Sequence, residues 1–142
     1  RCRVIRHPTM GHLCGYVELP HGHPWHGLDD RRIPVACHGG LTYTRANAPD
    51  DTESTGGWWL GFDAAHFRDL IPCVAAIADV LESHDKLATW RAMFPPDDVY
   101  RTVEYMREQC ENVAAIARSV ADFESSHATH NASNLPAALD TP

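Results

Sequence analysis

No glycine follows Gly61; all nine lie between Gly11 and Gly61. Glycine supplies the positive-φ conformations that tight turns need. The chain therefore divides into a turn-rich first half and a second half suited to helices. None of the five cysteines stands two residues from another in a C-x-x-C spacing, and their number is odd. That excludes a zinc ribbon and argues against a disulfide scaffold, so a reducing, cytoplasmic setting is expected. No stretch reaches the roughly 18 apolar residues of a membrane span. No serine lies between Arg1 and Glu53 and no G-x-S-x-G occurs, which leaves serine hydrolysis poorly supported. The phosphate-cradling loops G-x-G-x-x-G and G-x-x-x-x-G-K are missing, as is H-E-x-x-H. A net charge of −7 argues against a broad nucleic-acid-binding face, which would need clustered Lys and Arg. A small cationic pocket stays open, because six arginines precede Asn47.

What is present suits one α+β domain. A chain of 142 residues with 44% hydrophobic content can bury a real core. Residues 13–19 read as a strand ending at Pro20, and 21–27 as a loop rich in Gly, Pro and His. Residues 35–38 and 41–44 are candidate strands separated by Gly39-Gly40. Residues 48–57 read as an exposed loop and 58–63 as an aromatic strand. A mainly antiparallel sheet is the simplest assembly of these pieces. In the second half, residues 74–81 predict a short helix, and 86–93 another turn or two. From Asp97 or Asp98 the apolar positions Val99, Val103, Met106, Cys110, Val113, Ala117 and Val120 recur in steps of three and four. That spacing predicts one long helix with an apolar face, capped by the aspartates. The expected fold is thus a small sheet from the first half packed against C-terminal helices. The expected domain spans residues 1–124, followed by a flexible tail over 125–142.

Chemistry concentrates around His38-Gly39-Gly40 and the series Asp63, His66, Asp69. Two glycines beside His38 let a ligand or another backbone come close. If the chain turns helical after Asp63, each three-residue step keeps neighbours on one face. His38, Asp63, His66 and Asp69 together are a candidate set for a divalent metal such as zinc. Without metal, His38 or His66 can act as general base with Asp63 beside it. The plainer alternative is that Asp63 caps a following helix and His66 bonds a carbonyl. Candidate ligand-binding residues are Gly39, Gly40, Trp59 and Arg45, with Trp25 and Arg68 as further contacts. Trp58 and Trp59 point to opposite faces of a strand, so one enters the core. His7, His12, His21, His23 and His26 form a histidine-rich set that can either hold metal or lie in water. Cys37 reads as a buried, inert thiol. Tyr100, Arg101, Glu104, Arg107, Glu108 and Glu111 read as a solvated helix face.

The strings from Gly11 to Val17, Gly22 to Pro24, His38 to Thr42 and Trp58 to His66 resemble a set of small uncharacterised bacteriophage and actinobacterial proteins. The resemblance spans roughly the first half and residues 100–110. It implies a phage-type context, such as counter-defence or nucleotide metabolism, and no defined activity. Three functions follow as expectations. The first is a small hydrolase, with or without metal, acting on a phosphorylated or nucleotide-like molecule. The second is a binding protein that sequesters a nucleotide-like ligand. The third is a host-protein inhibitor working by surface contact. A homo-oligomer is compatible with each, and a membrane partner with none.

Overall fold

The computed structural model describes residues 1–47, 56–81 and 98–133. Four strands form one antiparallel sheet: β1 (Cys2–Arg6), β2 (Leu13–Leu19), β3 (Tyr43–Arg45) and β4 (Trp58–Asp63), in the order β1-β2-β4-β3. Two helices follow, α1 (Pro72–Leu81) and α2 (Val103–Ser133). The architecture is α+β, with the sheet of the first half packed against the long C-terminal helix. No helix among the described residues is long and apolar enough to cross a membrane.

Register decides which residues meet the helix. Val17 pairs with Leu60 and Cys2 on its two sides, and Gly15 pairs with Phe62 and Val4. Because side chains alternate, Leu13, Val17, Leu19, Leu60 and Phe62 share one face. Against that face α2 sets Met106, Cys110, Val113 and Ala117, all buried. The periodic stripe thus does what its spacing predicts in the middle of the helix. Gly15 is required on this face: a Cβ there would lie 2.5 Å from the Phe62 ring and 2.9 Å from Cys110 Sγ. Trp25 and Ile33, from the connection between β2 and β3, also join the core. His23 ties that connection to α2, donating from Nε2 to the Ala117 carbonyl (2.9 Å) while its Nδ1 accepts from Trp25 N–H (2.9 Å).

Several boundaries differ from expectation. β1 is an additional edge strand, in which Cys2 and Val4 alternate with Arg3 and Ile5; arginines there suit a strand that must not pair further. Residues 35–38 are not a strand but lead into a turn closed by Gly40 N–H to the Cys37 carbonyl (3.1 Å), and the next strand begins only at Tyr43. The long helix begins at Val103, not at the aspartates. Residues before it are extended because Val99 bridges to Asp69, with Leu70 N–H on the Val99 carbonyl and Val99 N–H on the Arg68 carbonyl, both 3.0 Å. Thr102 supplies the cap, its hydroxyl accepting from Tyr105 N–H at 3.2 Å. α2 also continues through residues 125–133, where a loose tail was expected. Extending a formed helix costs far less than starting one. The loop and helix expected over 48–55 and 86–93 lie outside the described residues.

Candidate functional site

Asp69 is placed by a turn, not by a helix. β4 ends at Asp63, and Asp69 N–H donates to the His66 carbonyl (3.0 Å) while Asp69 Oδ2 accepts from His66 N–H (3.0 Å). Arg68 within this turn has φ of 70°, a conformation that non-glycine residues seldom adopt. Helix α1 starts only at Pro72, a favoured first helical residue. The Val99 bridge then locks the turn against the segment leading into α2. Asp69 is left 4% exposed.

His38 reaches the same point from the turn that precedes β3. Gly39 and Gly40 follow it with φ of 66° and 87°. The His66 imidazole lies against Gly39, where any Cβ would collide with its ring. The glycine pair therefore admits another side chain of the protein itself. His38 N–H donates to Gln109 Oε1 at 3.1 Å, which fixes the loop to α2.

These placements create a chain of polar contacts. His38 Nε2 lies 2.6 Å from Asp69 Oδ2, and His38 Nδ1 lies 3.0 Å from the Tyr105 hydroxyl. Arg101 Nε donates to Asp69 Oδ1 at 2.7 Å, and its guanidinium sits 5.1 Å from the Tyr105 ring centroid. Burial works to raise the Asp69 carboxyl. Hydrogen bonds from His38, Arg101 and His66 N–H together outweigh it and hold Asp69 below its ordinary value. An ionised Asp69 accepts only, so His38 Nε2 carries the proton. In the neutral imidazole Nδ1 is then an acceptor and Tyr105 O–H its donor. The order carboxylate, imidazole, hydroxyl is the logic of an activated nucleophile: a base in contact with a hydroxyl and oriented by a third group.

Asp63 and His66 are close together but arranged differently. Asp63 Oδ2 accepts from the Thr42 hydroxyl (3.0 Å), and Oδ1 accepts from Ala65 N–H (3.1 Å). Asp63 thus closes a turn and does not cap a helix. His66 Nε2 is 3.6 Å from Asp63 Oδ1, beyond hydrogen-bond range, and is buried without a partner. The His38 and His66 rings are 5.6 Å apart. The structure therefore brings His38, His66, Asp63 and Asp69 into one neighbourhood, with His38 bonded to Asp69 and Asp63 turned toward Thr42. Among the described residues no three His, Cys, Asp or Glu side chains are grouped to hold a metal ion. Within the proposed ligand set both His38 nitrogens and both Asp69 oxygens have protein partners, while His66 Nε2 has none.

Asp63 also lines a cavity of about 380 Å³ with His7, His12, Tyr16, Thr42 and Tyr43. His7 and His12 stack at 4.8 Å, and Tyr16 meets Tyr43 edge-on at 5.5 Å. Burial, then the neighbouring His7, lowers the His12 pKa, with Asp63 and Asp69 opposing. Burial keeps the Tyr16 phenol protonated well above its usual range. Trp59 offers no open face: it is fully buried, with the guanidinium groups of Arg1 and Arg3 at 5.4 and 5.3 Å from its ring. Arg45 lies over the Tyr43 ring at 5.8 Å, and Trp25 is core. Arg101, Tyr105 and Gln109 were not singled out by sequence as site residues. For Tyr105 and Gln109 the spacing of four on α2 was the available signal, a polar stripe beside the apolar one; Arg101 precedes the helix and had none.

The class defined by this geometry is an α+β domain carrying a carboxylate–imidazole–phenol chain of contacts. Comparison with known proteins finds no matching family, no matching curated protein and no matching solved structure.

Proposed function

We propose that this protein is a small metal-independent hydrolase acting on a phosphorylated or nucleotide-like substrate. One observation carries the reading: His38 is held at 2.6 Å by a buried, ionised Asp69 while its other nitrogen faces a hydroxyl. Asp69 sets the tautomer and stabilises the imidazolium formed when His38 takes a proton. Among the described residues the terminal guanidinium nitrogens of Arg101 carry no hydrogen-bond partner, because only Nε is used on Asp69. They can meet an anionic oxygen while Nε stays on Asp69. The test is hydrolysis of nitrophenyl phosphate esters and a nucleotide panel by the purified chain, with chelator present. Turnover that falls about 10²–10⁴-fold in His38→Ala supports general-base catalysis. No turnover on any of these substrates would sink the proposal.

A second reading, a small-ligand binding protein, is favoured by the cavity beside Asp63. Its volume of about 380 Å³ falls at the small end of ligand pockets, and its aromatic and carboxylate walls suit a nucleobase-like group. A thermal shift with nucleosides, lost in Asp63→Asn and kept in His38→Ala, would favour binding over hydrolysis.

A further inference from the structure

We infer that Tyr105 is the attacking nucleophile and that the substrate is a phosphodiester, cleaved through a transient tyrosyl–phosphate bond. This rests on the hydrolase reading above. The argument starts from what His38 can reach. One imidazole nitrogen is committed to Asp69 and the other to the Tyr105 hydroxyl. A base so engaged has a single proton within reach, the phenolic one. A water molecule could be activated directly only by displacing Tyr105. The phenol is a recognised covalent nucleophile when a base stands beside it. The Arg101 guanidinium over the Tyr105 ring favours negative charge growing on that ring.

Charge selects the substrate class. The Asp69 charge is offset by Arg101, whose terminal nitrogens are left to donate hydrogen bonds to an anionic oxygen. With the neutral imidazole that a base requires, Asp69 and Arg101 sum to no net charge, so a singly charged phosphodiester leaves the least charge uncompensated. A dianionic monoester would leave a second charge uncompensated on a chain of net charge −7. In the first step Tyr105 Oη bonds to phosphorus as His38 Nδ1 takes its proton. The bond from phosphorus to the leaving oxygen breaks, and that oxygen receives the proton from His38. In the second step water attacks phosphorus and gives its proton to His38. The bond to Tyr105 breaks, and Tyr105 recovers a proton from His38. The sum is one phosphodiester plus one water giving a phosphomonoester and an alcohol. Asp69 keeps hold of His38 Nε2 throughout and is a positioning residue.

The experiment uses the full chain and bis(4-nitrophenyl) phosphate, quenched in acid within a turnover and read by intact and peptide mass spectrometry. The expected result is a nitrophenyl phosphate adduct on Tyr105, with a nitrophenolate burst of about one per chain. Tyr105→Phe, checked for a folded circular dichroism spectrum, should lose the adduct and about 10²-fold or more of the turnover. A chiral phosphorothioate diester covers rapid breakdown of the intermediate: two displacements give net retention at phosphorus, and one gives inversion. Inversion, or undiminished turnover in Tyr105→Phe, overturns the nucleophile while leaving His38 as a base acting on water. Absence of nitrophenolate release from every ester overturns the hydrolase reading, and this inference with it.

Discussion

Two stripes run side by side on α2 and hold the protein together by different physics. Met106, Cys110, Val113 and Ala117 fill the space over Val17, Leu60 and Phe62, where contact is non-directional and area decides the energy. Tyr105 and Gln109, each one residue away from a core position, meet His38 through hydrogen bonds that depend on angle and distance. The first stripe should tolerate changes of shape that keep volume. The second should not tolerate even small changes of chemistry. That contrast explains why one helix can both anchor the fold and present a site.

Substitutions can break the contrast, and the largest effect should be catalytic. His38→Ala should reduce hydrolysis about 10²–10⁴-fold, whereas Met106→Leu, volume-conserving in the core, should cost less than about 1.5 kcal/mol and leave turnover near wild type. Urea melts and initial rates on both variants check this. Next comes stability. Phe62→Ala should cost about 3–5 kcal/mol by opening a cavity under α2. Asp69→Ala should cost about 3 kcal/mol, near the low end for a broken buried pair, because Arg101 can turn toward solvent. Equal losses from the two would show that the polar junction matters as much to the fold as the core does. A loss near zero for Asp69→Ala would show the junction to be dispensable for folding.

A third variant sharpens the difference at the level of backbone. Gly39→Ala places a methyl against the His66 ring at a positive φ, so about 1–3 kcal/mol should be lost. The His66 ring resonances should move in an NMR spectrum; unchanged shifts and stability would contradict the close approach. The fourth is a pH effect. The folded Asp69 carboxyl lies below its ordinary value, so its stabilisation is complete above the unfolded value of about 3.9. It is lost as pH falls below that and through the lower folded value. The stability gap between wild type and Asp69→Asn should therefore narrow in acid below about pH 4, and a gap that widens there would refute the assignment. The smallest effect is chemical. Burial pushes the Cys110 thiol up to about 12 and Cys37 up to about 11, while Cys2 is exposed. Iodoacetamide at neutral pH should label Cys2 well before Cys37 or Cys110.

Much of this was legible beforehand because it is written in local patterns. Apolar and aromatic runs over residues 13–19 and 58–63, the first closed by Pro20, mark strands, and steps of three and four, read from Val99, mark the helix that begins at Val103. His38 and Asp69 could be suspected from residue type and from the neighbouring glycines. Their direct contact could not, since it spans 31 positions and runs through a turn with Arg68 at positive φ. Arg101 looked like part of a solvated face because helical periodicity was carried back to Asp98. The parallel bridge between Val99 and Asp69 overrode that periodicity and kept 98–101 extended. Trp59 looked like a stacking platform because a strand exposes every second side chain. Arg3 of the unforeseen edge strand and Arg1 just before it lie over it instead.

By itself the sequence determined the α+β class, the antiparallel sheet and the apolar face of α2, because periodicity and turn chemistry act over a few residues. It also marked the neighbourhood of the candidate residues, His38 and the Asp63–Asp69 series. Only the tertiary structure decided that Asp69 contacts His38 while Asp63 contacts Thr42, and that Tyr105 and Arg101 complete the chain of contacts. Hydrogen-bond partners across 67 and 32 positions are chosen by how the sheet, the turn and the helix dock, and no local pattern encodes that docking.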